Sequence, residues 1–316
     1  MEGLKKNYCK VREFYRIRHT EERIFLLDYE RTMNQIFRAE SDAYANNKIL
    51  LGIVGGEVPL EESDGGNNLA FVVENRLYLY NVTDNKMVLL FGFYDEENQD
   101  RRTLYGAHGI KILNVDEGGN VTFLVYGYMN RGEYEGRVGM ILYTYHPADQ
   151  TVEERAYFPV NTTYEILKET MGEFAYCNYE DIFYFHIYDT IYSYNLITGV
   201  LSVIAEDVTQ EGMVYVKSRQ MLAWQTANER GRTNLVHVMN LDLGTRGDIH
   251  AGEGEIIGLL GAIDDNLILG KSGAENTVYK EDGTLVAAYD RVEIVDFDGN
   301  ELKKYEKNGY YVVDAT

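Results

Sequence analysis

Two charged segments carry residue types that bind ligands: Asn130-Arg131-Gly132-Glu133-Tyr134-Glu135-Gly136-Arg137 and Asn228-Glu229-Arg230-Gly231-Arg232. An arginine presents a planar fork of donors that matches carboxylate, phosphate or sugar hydroxyls. Arg131, Arg137, Arg230 and Arg232, with Glu133 and Tyr134 beside them, are therefore candidate ligand contacts. The plainer and preferred reading is two solvated tips whose Arg and Glu neutralise one another. Residues 94–108 add Arg101, Arg102 and His108 in a long connection, and long connections in compact folds often serve function. As a general base His108 needs a carboxylate, which Asp95 or Asp100 would supply. Satisfying backbone groups is the commoner task of such a histidine. Trp224, the only tryptophan, stands ahead of the second arginine segment with a ring able to stack on a ligand, although core packing is its plainer role.

Several weaker motifs carry less. Residues 114–123 resemble the turn element of sialidase-type folds with stretched spacing, which speaks for fold rather than for catalysis. Asp296-Phe297-Asp298-Gly299-Asn300 has the opening of a calcium loop in the wrong order, so a tight hairpin explains it. Gly270-Lys271-Ser272 is half a phosphate loop inside a strand-like run. No cofactor and no metal site is expected. Cys9 and Cys177 are the only thiols, enough for one bridge or for two unpaired side chains, and the second is preferred.

These residues need a scaffold, and composition bounds it. The chain has 316 residues, 45% hydrophobic and 26% charged, which suits a globular core rather than a disordered segment. Fifty-one Asp and Glu against 30 Lys and Arg give a net charge of −21, a poor match for nucleic acid or an anionic membrane. Residues 1–40 differ, with nine Lys/Arg against seven Asp/Glu. No apolar run reaches the roughly 20 residues of a membrane helix, and the first residues lack the apolar stretch of a signal peptide.

Twenty-seven Tyr, with abundant Val, Ile and Phe, favour pleated surfaces, and 30 Gly supply turns. The best helical spacing covers only residues 164–171. Six short apolar runs end in Asp, Asn or His before a turn, at Asp28, Asn81, His146, Asn195, Asn240 and Asp296. Around them the chain reads as strand groups of four, for instance 109–115, 121–128, 138–145 and 151–158. Four strands recurring in this way are the pattern of propeller blades. The expectation is an all-β, single-domain propeller over residues 1–316, with six four-stranded blades and seven as the alternative. The tail run 310–313 is expected to close the ring by pairing with residues 11–40.

The four-strand units and the hairpins ending in Tyr-Asn resemble uncharacterised bacterial β-propeller proteins, many of them exported or lipid-anchored. The resemblance implies an extracellular or cell-envelope protein, with the cytoplasm left open and an anchor conceivable in a longer precursor. It also implies a binding or sensor module for a protein, peptide or glycan. The alternative is a glycoside hydrolase or lyase using Glu133, Glu135 or Glu229 with His108. Strand parity places the loops at 94–108, 129–137 and 226–233 at one end of the ring. Their arginines would then form a rim attractive to an anionic ligand.

Overall fold

The computed structural model describes residues 9–35, 37, 44–45, 48–51, 58–94, 100–171, 174–226, 233–273, 276–279, 283, 285–307 and 309–313. It divides into two compact units, Met1–Tyr164 and Glu165–Thr316. The fold is all-β: among the described residues five antiparallel sheets have four strands each, and in four of them the strands run in simple sequence order.

The first unit opens with a ribbon of two long strands, β1 (Cys9–His19) and β2 (Ile24–Gln35), and a short pair, β3 (Tyr44–Ala45) and β4 (Lys48–Ile49). Two full sheets follow. One holds β5 (Leu60–Glu62), β6 (Asn68–Val73), β7 (Arg76–Asn81) and β8 (Lys86–Phe91). The other holds β9 (His108–Val115), β10 (Val121–Tyr128), β11 (Val138–His146) and β12 (Thr151–Pro159). The sheets bury their faces against each other, with Ala70, Leu77 and Leu79 of one meeting Ile110, Val121, Phe123 and Val125 of the other. Burial of that apolar surface supplies most of the driving force, about 1.5–3 kcal/mol for each large side chain. Asn75 ties the pair by donating from Nδ2 to the carbonyl oxygens of Gly106 at 3.3 Å and His108 at 2.9 Å.

The short helix α1 (Tyr164–Thr170) sits at the boundary between the units, where periodicity placed it. The second unit contains β13 (Ala175–Cys177), β14 (Ile182–Ile187), β15 (Thr190–Asn195) and β16 (Val200–Ala205) as one sheet. A second comprises β17 (Met213–Val216), β18 (Met221–Trp224), β19 (Leu235–Asn240) and β20 (Arg246–His250). In the third, β21 (Glu255–Ile263) and β22 (Asn266–Gly273) pair onward to β25 (Arg291–Val295) and β26 (Glu301–Glu306). The hairpin β23 (Thr277–Tyr279) and β24 (Leu285–Ala287) is inserted between β22 and β25. Successive sheets again pack face to face through Trp224, Tyr184, Leu222 and Ile191, and through Ala223, Val236, Ile257 and Leu269.

The recurrent turns follow from local chemistry. Asn195 Oδ1 accepts from the backbone of Ile197 at 3.0 Å and Thr198 at 2.8 Å. Asn240 Oδ1 does the same for Asp242 and Leu243, and Asp296 Oδ1 for Asp298 and Asn300. Gly199 and Gly299 follow with φ of 72° and 83°, a region costly to a residue with a Cβ. The calcium-like run at 296–300 is thus a hairpin turn. Asp116 builds a like turn by accepting from Asn120 at 2.8 Å, so the sialidase-like run is a turn as well.

Three expectations about the scaffold are corrected. Asp28 ends no hairpin: it pairs with Arg16 inside β2, beside a bulge, and the first expected blade is a two-stranded ribbon. The sheets are separate four-stranded meanders, and the described tail does not join residues 11–40. Val312 instead exchanges both backbone hydrogen bonds with Tyr289, each at 2.8 Å. The reason lies in packing: the Tyr289 ring lies over Gly258 and Gly270, where an added Cβ would come within 1.9 and 2.4 Å of it. That seat fixes Tyr289 and so offers its backbone to the tail. Lys271, in the run already set aside as a phosphate loop, lies in β22 and pairs with Glu293 at 2.6 Å.

Candidate functional site

The connection between β8 and β9 and the loop between β10 and β11 leave the strands at the same end of the first unit, as parity requires. Asp100 organises the first. Its carboxylate accepts from the Arg102 backbone at 3.0 Å, and its carbonyl accepts from Thr103 Oγ1 at 2.6 Å. Those bonds start the 3-10 turn Arg101–Leu104. The second loop folds back through Met129 N to Arg137 O and Gly136 N to Met129 O, both 2.9 Å. Gly132 and Gly136 supply the positive φ it needs.

The two loops meet. Arg102 Nη1 donates to Glu135 Oε1 at 2.9 Å, Arg131 donates to Asp100 Oδ2, and Asn130 Nδ2 donates to the Tyr105 carbonyl at 2.8 Å. Between them lies an open cavity of about 380 Å³ lined by Arg102, Tyr105, Tyr128, Asn130 and Glu135. The Tyr105 and Tyr128 rings stand edge to face, 5.6 Å apart. Asn130 is buried beneath, with its amide fixed by the Tyr105 carbonyl.

Charge in the site is balanced within it. Partial burial would raise the Asp100 pKa, but hydrogen bonds from Arg102 and the charges of Arg131 and Arg102 hold it below the usual carboxylate range. Arg102 is held protonated first by its hydrogen bond to Asp100, then by the charges of Asp100 and Glu135. Two of the expected rim arginines, Arg102 and Arg131, thus face two carboxylates, Glu135 and Asp100. Asp100 caps its own turn and is thereby aimed at the arginines rather than at His108.

The other sequence candidates fall as follows. His108 is buried, edge-on to Phe93 at 4.7 Å, with Nε2 3.4 Å from the Asn75 carbonyl. It is a packed side chain rather than a base at the cavity, and Asp95 lies outside the described residues. Tyr134 stacks on Tyr157 at 3.7 Å, and its hydroxyl donates to Glu154 at 2.7 Å, which pushes its pKa up to about 12. Glu133 and Arg137 are exposed on the loop. Arg101 opens the 3-10 turn. Trp224 is 4% exposed and stacks on His237 at 5.4 Å, so it serves the core and offers no ligand platform. Arg230, Arg232 and Glu229 lie outside the described residues, as does most of the third expected loop. Cys9 and Cys177 are both free thiols.

Sequence reasoning passed over Tyr105, Tyr128 and Asn130. Among 27 tyrosines nothing local marks two that face one cavity. The usable signal was position: both flank the strand ends next to the charged loops. Among the described residues no cluster of His, Cys, Asp or Glu is arranged to hold a metal, and no helix is long and apolar enough to cross a membrane.

No family model and no curated protein matches the sequence. Solved structures with a similar fold include dipeptidyl peptidase 4 of Porphyromonas gingivalis, at 10% identity over 93% of this chain with a TM-score of 0.47. Others are Hsv2 of Kluyveromyces lactis, at 12% over 79% with 0.37, and the WD40 domain of SCAP from fission yeast, at 9% over 81% with 0.38. This chain spans 44%, 64% and 58% of those three chains respectively.

Proposed function

We propose that the chain is a propeller-type binding module without catalytic function, and that the Arg102–Glu135 cavity takes an uncharged polar ligand, the end of a glycan. The observation that carries this reading is the pairing of a self-neutralised Arg102–Glu135 bridge with two edge-to-face tyrosines in one open cavity. A sugar ring has an apolar C–H face for a tyrosine and hydroxyls that both donate and accept, which suits Arg, Glu and Asn together. An anion would have to compete with two carboxylates already in place. The cavity volume is at the small end of ligand sites, enough for one or two rings. A glycan ligand is met outside the cytoplasm, which suits an extracellular or cell-envelope location.

The hydrolase alternative needs a carboxylic acid kept protonated at the cavity. Glu135 is tied to Arg102 and Asp100 is held ionised, so no such acid is supported at this site.

A glycan microarray followed by calorimetry tests the reading. Binding is expected for the wild type and at least tenfold weaker for Tyr105→Ala and Tyr128→Ala, with folding intact. Capture of peptides rather than glycans, or binding indifferent to both substitutions, would overturn the ligand class. Product formation from a bound glycan would overturn the non-catalytic reading.

A further inference from the structure

Each four-stranded sheet ends, in sequence, on an edge strand: β8, β12, β16, β20 or β26. An edge offers a row of backbone groups to any extended chain, and charged side chains are a usual guard against such pairing. Lys86 stands in β8, Glu153 and Glu154 in β12, Asp248 in β20 and Lys304 in β26. The β16 run, Val200-Leu201-Ser202-Val203-Ile204-Ala205, has no charge at all. The first strands β13 and β17 are uncharged too, but they are buried or half-buried. In β16 Val200 is 55% exposed, Leu201 51% and Val203 50%, and among the described residues no strand pairs with its far edge. Its ladder is regular from Val200 to Val203, opposite Asn195 to Tyr192, and shifts only beyond Val203.

The surroundings of this edge select the sign of its partner. Residues 174–216 hold six Asp/Glu and no Lys or Arg. The acids stand at both ends of the strand. At the Val200 end the Asp181 carbonyl accepts from Leu196 at 2.8 Å, which sets Glu180 and Asp181 beside the β15–β16 turn. At the other end the Asp189 carbonyl accepts from Val208 at 2.8 Å, which brings Asp189 beside Glu206 and Asp207. Glu180, Asp189, Glu206 and Asp207 are exposed. The edge is thus apolar along its length and anionic at its tips. A second copy would bring the same acids onto these, and an anionic membrane would repel them as well.

We propose that β16 is a docking edge for a basic, extended segment of a partner protein, added to the sheet as a fifth strand. Backbone hydrogen bonds along Val200–Val203 supply the attachment, as in other strand additions. Apolar side chains of the segment extend the row formed by Leu201 opposite Tyr194 and Val203 opposite Tyr192. Its Lys or Arg side chains answer the carboxylates at the two tips, which guides the encounter and makes it sensitive to salt. This site lies in the second unit and does not rest on the Arg102–Glu135 cavity.

The test is fluorescence anisotropy of the full chain with a labelled octapeptide of alternating Val and Lys, blocked at both ends. Binding is expected, and it should weaken about tenfold as salt rises from about 0.05 to about 0.5 M. Leu201→Lys with Val203→Lys is expected to weaken it by about tenfold or more and to melt with the wild type, because both side chains are exposed. Glu206→Gln with Asp207→Asn should weaken it and flatten the salt response. No binding, or equal binding of a Val–Glu octapeptide, would overturn the proposal. Equal binding of a Val–Lys octapeptide methylated on its central backbone nitrogens would also overturn it, by showing attraction without strand addition. Dimerisation of the chain that the double Lys variant abolishes would overturn it too, by assigning the edge to a second copy.

Discussion

Gln225 and Leu259 join two neighbouring sheets of the second unit: the side-chain oxygen of the first accepts from the backbone nitrogen of the second at 2.8 Å. The same side chain donates to the carbonyls of Leu235 at 2.8 Å and Ile257 at 3.0 Å, and it is fully buried. Gln225→Ala takes a partner from three backbone groups, two of them buried and the Leu235 carbonyl partly so. We expect a loss of about 2–4 kcal/mol in urea unfolding. Gln225→Glu is expected to cost as much or more, since its carboxylate would face two carbonyl oxygens. A loss below 1 kcal/mol (roughly one ordinary hydrogen bond) would show that the stitch is dispensable.

Acid should weaken the second unit through one network. Arg291 bonds Glu255 at 2.8 Å and Glu293 at 2.7 Å, and Lys271 bonds Glu293 at 2.6 Å. The Arg291 hydrogen bond holds Glu255 below its ordinary pKa of 4.5. Burial would raise Glu293, yet Lys271 and Arg291 hold it below that value too. A carboxylate depressed in the folded state contributes stability above its unfolded pKa and loses it as pH falls through the folded one. Unfolding free energy is therefore expected to drop below about pH 4.5. Arg291→Gln should lower stability at neutral pH and flatten that acid slope, as denaturant titrations at stepped pH would reveal.

The seat of Tyr289 gives a steric prediction. Gly270→Ala would place a methyl 2.4 Å from the root of the Tyr289 ring, an overlap that a flip of the ring about its Cβ–Cγ bond does not relieve. A cost of about 1–3 kcal/mol is expected, in line with other overpacked cores. In the background of Tyr289→Ala the same glycine substitution should cost much less. Removing residues 309–316 should weaken the second unit without abolishing its folding, because the described tail contributes one two-bond bridge. Additive costs in the double variant would rule out the proposed overlap.

Trp224 offers a direct optical check. As the sole tryptophan, buried among Tyr184, Leu222 and Met239, it should emit at short wavelength and resist quenching by iodide. A solvent-like spectrum, or strong quenching, would restore it as a ligand contact.

Much of the fold was legible because its signals are local. Asn81, Asn195, Asn240 and Asp296 end strands and cap their turns by bonding backbone groups two to four residues onward, which spacing alone reveals. Alternating apolar residues then set strand and register, as between 121 and 128. Asp28 shows the limit. It follows the same apolar pattern and makes a similar local bond, to Tyr29 at 2.9 Å, yet the strand runs on through it. Pairing across the ribbon, from Arg16 opposite Asp28 to His19 opposite Ile24, outweighs that single local bond.

The site itself was decided by tertiary structure. The loops and their arginines could be named from sequence, and their shared end follows from strand parity. That Arg131 would answer Asp100 across 31 positions, and Arg102 answer Glu135 across 33, depended on how two connections fold over their sheets. Long-range partners compete at equal chemistry: any of several carboxylates could neutralise an arginine, and only geometry selects one. The sequence therefore determined the strands, the turns and the acidic surface. The fold alone paired Arg102 and Arg131 with carboxylates beside a tyrosine-walled cavity, because Coulomb attraction and packing act between neighbours in space, not along the chain.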